Sequence, residues 1–231
     1  MTMKKIFNFL VGAVVAMTLA SSCTKESEGL TRITYYPVLE LEGETTMLVD
    51  KGSNYTEPGY TATLNGEDVS ADVVVESNVN TSKSGIYSVV YSIVNEDGFS
   101  SVANRTVIVF DFEDPVEGIY TVDPSSYRLY NGAQTAFGRA FQIYVLANGD
   151  GTYFVDDILG GWYCQRAGYG TNYDMQAHIK VSGDVVELVD SYIPGWGDSL
   201  VDWADGTVSN GTMSYTAVYV SGMEFHVTMS K

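Results

Sequence analysis

Apolar and polar residues alternate with a period of two along much of the chain. Tyr87, Val89, Tyr91 and Ile93 fall on one face of a predicted strand, and residues 212–219 show the same alternation near the C-terminus. Because successive side chains of a strand point to opposite faces, this pattern predicts half-buried β-strands. No long stretch shows the 3.6-residue period of an amphipathic helix. The sequence therefore predicts an all-β protein.

Turn residues interrupt the alternating runs at short, regular intervals. The segments 95–98 (Asn-Glu-Asp-Gly), 148–151 (Asn-Gly-Asp-Gly) and 221–222 (Ser-Gly) are typical hairpin connections. The chain has 23 glycines and 5 prolines, so glycine is available wherever a turn needs a positive φ. Turn residues at such short intervals are typical of sandwiches and barrels made of many short strands.

An acidic, proline-containing segment at residues 111–118 divides the alternating region in two. The first part, residues 35–111, has the size of a small Ig-like β-sandwich. The second part, residues 116–231, is long enough for an antiparallel β-sandwich or barrel of eight strands. We therefore expect two β domains joined by a short linker.

The N-terminus has the pattern of an export signal. Two lysines precede an apolar run over residues 6–19, and small residues lead to Cys23. A run of this length is too short to span a bilayer, which needs about 20 apolar residues. We predict a signal peptide over residues 1–22, followed at residues 23–34 by a lipidated Cys23 and a polar tether.

The residues Leu19-Ala20-Ser21-Ser22-Cys23 resemble the lipobox of bacterial lipoproteins. The resemblance implies that Cys23 is acylated, by palmitate or a similar chain, and becomes the mature N-terminus. Several buried acyl chains give stable membrane anchoring. The polar residues 24–29 are similar to the export tags of Bacteroidetes surface lipoproteins, which implies an outer-membrane location facing the cell exterior.

Three segments resemble the bacterial surface Ig-like domain: residues 52–62, 81–91 and 104–109. This resemblance implies a β-sandwich that acts as a spacer or interaction module. An Ig-like module followed by a C-terminal β domain is similar to Bacteroidetes surface lipoproteins encoded near glycan-uptake systems. The resemblance implies outer-membrane uptake proteins as partners.

Composition excludes several classes of function. The 12 basic residues face 29 acidic ones, a net charge of -17, which disfavours nucleic acid as a partner. Two cysteines and two histidines supply neither a disulfide framework nor a zinc cluster. No nucleophile elbow, phosphate-binding loop or zinc-protease motif occurs. We therefore expect no catalytic residues, no metal and no cofactor.

The three tryptophans lie in two glycine-rich stretches of the second domain, where flat rings beside polar groups can hold a sugar. The alternative is that the indoles plug the ends of the barrel. The leading hypothesis is a non-catalytic surface lipoprotein that binds glycan or assists glycan uptake. The predicted ligand-binding residues are Trp162, Tyr163, Arg166, Trp196, Asp198, Asp202 and Trp203.

Two other classes of function stay open at this stage. One is a structural or adhesion module that binds protein partners. The other is a glycan hydrolase, which would require two carboxylates to meet in an aromatic cleft. Asp156 and Asp157 are adjacent, so on a strand they would point to opposite faces and would not form such a pair by themselves.

Overall fold

The computed structural model describes residues 33–231, and its regular secondary structure is almost entirely β-strand. The predicted signal peptide, Cys23 and all but the last two residues of the predicted tether lie outside the described residues. Within residues 33–231, no helix has the length and apolar character needed to cross a membrane. The predicted all-β fold class is confirmed.

The first seven strands form an Ig-like sandwich of two sheets. Their bounds are β1 Val38–Leu41, β2 Thr46–Asp50, β3 Tyr60–Leu64, β4 Glu67–Asp68, β5 Val74–Ser77, β6 Gly85–Val94 and β7 Ser100–Phe110. One sheet has the order β1-β3-β4 and the other β2-β7-β6-β5. Strand β2 pairs with β7 in parallel, and all other pairs are antiparallel.

The core of the sandwich lies between these sheets. Val89 and Tyr91 of β6 and Val107 of β7 are buried there, and Leu39 of β1 and Tyr60 of β3 pack against them. The face predicted from the period-two pattern of β6 is therefore the core face. Alternate side chains of one strand lie on the same side of the sheet, so the spacing of apolar residues in the sequence is enough to identify the core face of β6.

The remaining ten strands form one antiparallel sheet. Their bounds are β8 Gly118–Val122, β9 Tyr127–Tyr130, β10 Ala133–Ala136, β11 Gln142–Ala147, β12 Thr152–Val155, β13 Gln176–Ser182, β14 Val185–Tyr192, β15 Asp202–Ser209, β16 Thr212–Tyr219 and β17 Met223–Ser230. The order is β10-β9-β17-β16-β15-β14-β13-β12-β11-β8.

A further pairing between β8 and β17 closes eight of these strands into a barrel. Val122 lies opposite Met229, so the sheet returns on itself, and β9 of the β9–β10 hairpin pairs with residues 224–226 on the same edge of β17. The interior is filled by inward-facing residues, among them Met213, Tyr215 and Ala217 of β16. The predicted alternation in β16 and β17 and their connecting hairpin are confirmed.

Short helical turns are confined to the connections. Three single 3₁₀ turns lie at Ser70–Asp72, Thr171–Tyr173 and Val220–Gly222, and a π-helical turn lies at Trp162–Arg166. The π-helical turn follows Gly160 and Gly161, both at positive φ. A side chain at Gly161 would also touch Phe141, so glycine is required there for both conformation and space.

Candidate functional site

Two connections of the barrel meet and form one surface. The first, residues 156–175, joins β12 to β13 and contains the π-helical turn. The second, residues 193–201, joins β14 to β15. The amide of Gly195 donates a hydrogen bond of 2.6 Å to the carbonyl oxygen of Asn172 and ties the two connections together. Loops held in this way on a rigid barrel are suitable positions for a binding site.

Five aromatic rings gather where these connections meet, and we call them the aromatic cluster. Trp196 is its centre, because its ring contacts all four of the others. The members are Tyr163, Tyr169, Tyr173, Trp196 and Tyr219. The Trp196 ring centroid lies 4.7 Å from that of Tyr163 and 4.8 Å from that of Tyr173. Trp196 remains 42% exposed and Tyr169 56% exposed, so the cluster presents aromatic surface to solvent.

Hydrogen bonds fix the loop that carries Trp196 before and after this residue in the chain, at Ile193 and at Asp198. Ile193 is fully buried, and its amide donates to the carbonyl of Asp198 at 2.9 Å. The hydroxyl of Tyr219 donates to Oδ2 of Asp198 at 2.9 Å. Burial, followed by this hydrogen bond to a carboxylate, raises the pKa of Tyr219, so the hydroxyl keeps its proton. Asp198 therefore fixes the loop as well as bordering the cluster.

Trp162 does not share this exposed surface. It is 3% exposed and belongs to the barrel core, with edge-on ring contacts to Phe137 and Phe225. The guanidinium carbons of Arg128 and Arg166 lie 4.8 Å and 4.2 Å from its ring centroid. Trp162 therefore plugs the barrel, the alternative that the sequence left open, and its burial contradicts its place on an exposed stacking surface.

Trp203 and Asp202 lie at a different feature of the barrel. The Trp203 ring stacks on Tyr215 with centroids 4.6 Å apart, and its Nε1 donates to the carbonyl of Val186 at 3.1 Å. Both residues line an open groove of about 650 Å³ between β14 and β15. Register pairing between these strands is confined to Val185 and Thr207, which leaves the groove open. The seven predicted site residues are thus distributed over three places: the aromatic cluster holds Tyr163, Trp196 and Asp198, the barrel core holds Trp162 with Arg166 over its ring, and this groove holds Asp202 and Trp203.

Tyr169, Tyr173 and Tyr219 belong to the cluster but were not among the predicted site residues. Tyr169 and Tyr173 lie in the same glycine-rich stretch as Tyr163. Three tyrosines in one short segment are the sequence feature from which their place in the cluster could have been predicted. The alternation of β16 placed Tyr219 in the core, where it is indeed buried. Its hydroxyl reaches Asp198 only because the fold brings residues 21 positions apart together.

Asp156 and Asp157 come after the end of β12 at Val155, so strand alternation does not govern them. Asp157 is buried, and its carboxylate accepts hydrogen bonds from the amides of Leu159, Gly161 and Met175 at 3.0–3.2 Å. Burial and the neighbouring Asp174 raise the pKa of Asp157 well above its usual range. This carboxyl group holds the connection together and does not face a cleft.

Family models match both halves of the chain. A model described as a bacterial surface protein, Ig-like domain, matches residues 39–109. A model for a C-terminal domain matches residues 110–231, which is more than half of the chain. Together with the sandwich and the barrel, these matches define a two-domain bacterial surface protein.

A solved structure identifies the family. The crystal structure of the lipoprotein BT2262 from Bacteroides thetaiotaomicron is similar to this chain, with 35% sequence identity and a TM-score of 0.76. The match covers 85% of this chain and 100% of the other. The chain therefore belongs to the BT2262 family of bacterial surface lipoproteins, and this membership indicates the cell envelope as its location.

More distant structures resemble parts of the chain. Two come from Clostridium perfringens ZmpB: the M60 catalytic domain with CBM51-1 and CBM51-2, and CBM51-2 in complex with GlcNAc together with INT domains. Their identities are 20% and 22%, and their TM-scores are 0.29 and 0.28. The matches cover 54% and 51% of this chain, and 15% and 31% of the others. Likeness at this level carries no argument about the present chain. No curated protein matches it.

Proposed function

We propose that the protein is a non-catalytic, lipid-anchored surface protein whose barrel binds glycan through the aromatic cluster. The observation that carries this proposal is the exposed indole of Trp196, which four tyrosine rings and two anchored loop ends hold in place. Sugar CH groups stack on such a ring, while polar neighbours bind the hydroxyl groups.

The rigidity of the cluster favours binding over catalysis. Aromatic side chains supply large contact area at small conformational entropy cost, and a held ring loses little further freedom when a ligand stacks on it. Asp198 lies at the border of the cluster as a polar neighbour. The buried Asp157 offers no exposed acid or base beside these rings.

The anchoring part of the proposal concerns residues outside the described structure. Acylation of Cys23 after removal of residues 1–22 would tether the chain to the outer membrane, facing the exterior. The Ig-like domain, proposed as residues 35–111, would then act as a spacer that carries the barrel, proposed as residues 116–231, away from the membrane. Outer-membrane glycan-uptake proteins are the proposed partners.

A glycan array with a matched pair of variants tests the binding site. Trp196→Ala removes the central ring of the cluster, and Phe99→Ala removes a ring of similar exposure, 42% against 43%, from the Ig-like sandwich. We expect the wild-type protein and Phe99→Ala to bind the same glycans, and Trp196→Ala to lose at least about tenfold in affinity, or ~1.4 kcal/mol. Unchanged binding by Trp196→Ala would show that the site is wrong.

The groove between β14 and β15 favours a second candidate, an adhesion module that binds protein. Val185 and Val201 are exposed at this groove, and the adjacent strand edges lack continuous pairing. Open strand edges are places where another chain adds a strand. Crosslinking on intact cells distinguishes the candidates: a stable protein partner, together with an array free of bound glycan, would favour adhesion.

A further inference from the structure

Three guanidinium groups lie on or against the π-helical turn that carries Tyr163 of the aromatic cluster, and we call Arg128, Arg139 and Arg166 the arginine group. Arg166 lies over the Trp162 ring, and its Nε donates to the carbonyl of Phe137 at 3.1 Å. Arg139 donates to the carbonyl of Gln165 at 2.8 Å. Arg128 contacts the same Trp162 ring, with its guanidinium carbon 4.8 Å from the centroid. Ring contacts and backbone carbonyls thus fix the group.

The arginine group lacks the counter-charges expected in so acidic a protein. Across residues 33–231, no carboxylate oxygen lies within salt-bridge distance of these three side chains. The Nε of Arg128 is buried and has no hydrogen-bond partner in the same part of the chain. The contrast is Arg105 of the sandwich, which is paired with Glu57 at 3.0 Å. An unsatisfied buried donor is costly unless a partner reaches it.

Tyr163 connects the arginine group to the aromatic cluster. It follows Trp162 in the π-helical turn, and its ring contacts Trp196. The charge of Arg128 acts directly on the Tyr163 hydroxyl, where it opposes the rise in pKa that burial causes. A sugar stacked on the cluster would therefore lie next to unneutralised positive charge.

We propose that the arginine group recognises an acidic substituent, a carboxylate or a sulfate, on the glycan that stacks on the aromatic cluster. This inference rests on the proposed function and adds the class of its ligand. Guanidinium groups bind carboxylate and sulfate-like oxyanions through paired, charge-assisted hydrogen bonds. Such bonds are strongest where other partners and water are few, as at a half-buried side chain.

The charge of the whole protein limits the ligand to one with few acidic groups. The net charge is -17, so a densely charged polymer is repelled at long range. A glycan that is mostly neutral and carries one acidic sugar avoids most of this repulsion, because its charge meets the arginine group locally. The favoured ligand is therefore a sparsely acidic glycan.

Matched glycan pairs test the inference. The probes are uronate-containing oligosaccharides with their methyl esters, and sulfated oligosaccharides with their desulfated forms. The proteins are the wild type, the charge-removing double variant Arg128→Gln/Arg166→Gln, and the charge-keeping double variant Arg128→Lys/Arg166→Lys. Lys83→Gln/Lys180→Gln removes two exposed charges elsewhere and is the control. Thermal unfolding of each variant verifies that it is folded.

We expect the wild type to bind the acidic member of one pair type at least about tenfold more tightly than its neutral counterpart. The glutamine variant should lose this preference, the lysine variant should keep only part of it because a point charge replaces the paired guanidinium donors, and the control should retain it in full. Should the double glutamine variant fail to fold, the single variants Arg128→Gln and Arg166→Gln decide the test, since at least one of them should lose part of the preference; an unchanged preference in both folded single variants would overturn the inference.

The outcomes separate the inference from the proposed function. Binding that depends on Trp196 but is equal for both members of every pair overturns the inference and leaves the proposed function in place. A preference that persists in the folded glutamine variant also overturns it. The absence of any glycan binding overturns both. The preferred pair type identifies the substituent as carboxylate or sulfate.

Discussion

Trp196 meets Tyr163 edge-on, with ring centroids 4.7 Å apart and ring planes at 90°. Edge-to-face contact is a favourable arrangement for two aromatic rings and contributes about 0.5–1.5 kcal/mol beyond area burial. The contact joins two connections that are separated in sequence by the strands β13 and β14. The position of the exposed indole is thus a property of both loops together.

Gly195→Ala should displace Trp196 without unfolding the barrel. A methyl group at this position would lie 2.6 Å from the Tyr173 ring and 2.8 Å from the carbonyl oxygen of Asn172, so one of the two loops must move. We expect glycan binding to fall at least about fivefold, or ~1 kcal/mol, measured by titration.

Ser199→Ala is the control for that change, because it alters an exposed residue in the same loop. It should bind as the wild type does. Wild-type affinity in Gly195→Ala would mean that the contact between the loops does not position the indole.

Asp156→Asn should change how stability depends on pH. Burial, with the neighbouring Asp174 adding to it, raises the pKa of Asp156 to about 7. In the unfolded chain the pKa is about 3.9, so the folded state holds the proton more tightly. Protonated Asp156 therefore stabilises the folded wild-type protein fully below about pH 4, and this stabilisation is lost as the pH rises through about 7.

The asparagine side chain at position 156 does not ionise, so the stability of the variant relative to the wild type should increase between about pH 4 and 7. Urea unfolding at several pH values measures this difference. Asp72→Asn, an exposed change in the Ig-like sandwich, is the control and should leave the pH dependence as it is. A constant difference between Asp156→Asn and the wild type would contradict the prediction.

Arg105→Leu should destabilise the Ig-like sandwich strongly. Arg105 is fully buried, and it donates to Glu57 and to the backbone carbonyls of Glu42, Glu44 and Gly59. Its removal takes the guanidinium donors away from these acceptors and leaves Glu57 without its counter-charge, and breaking a buried ion pair costs about 3–5 kcal/mol. Urea unfolding should show the loss, whereas Arg139→Leu, at an exposed arginine, should change stability little.

The same pair makes the sandwich sensitive to acid. Burial alone would raise the pKa of Glu57, but hydrogen bonds from the Tyr55 hydroxyl and the Gly59 amide, together with the charge of Arg105, lower it overall. Its stabilising contribution is therefore present above the unfolded pKa of about 4.3 and is lost as the pH falls through the lower folded value. Unfolding of Arg105→Leu should show less of this acid dependence.

Cys164 should react slowly with alkylating reagents. Burial and a hydrogen bond from the thiol to Asp174 raise its pKa to about 12. The thiolate is the reactive form, so at pH 8 alkylation should be on the order of a thousandfold slower than for an ordinary thiol. Peptide mapping after iodoacetamide treatment measures the rate, and urea-unfolded protein is the control. Rapid modification of the folded protein would refute the raised pKa.

Much of the fold was predictable because it depends on short-range alternation. The inward faces of β6 and β16 follow from period two, since a strand must place alternate side chains on the same side. The hairpin between β16 and β17 follows from a Ser-Gly turn. The ends of strands are harder to predict from a sequence than the strands themselves. Alternation was applied to Asp156 and Asp157 for this reason, although β12 ends just before them at Val155.

The sequence by itself determined the all-β class, the Ig-like resemblance of the first half and the two aromatic, glycine-rich stretches of the second. Only the tertiary structure decided which aromatic rings face solvent. Trp162 and Trp196 lie in similar glycine-rich surroundings, yet one fills the barrel and the other is exposed. The reason is physical: burial depends on which distant residues pack against a ring, and those contacts are set by barrel closure and loop docking, which local sequence does not encode.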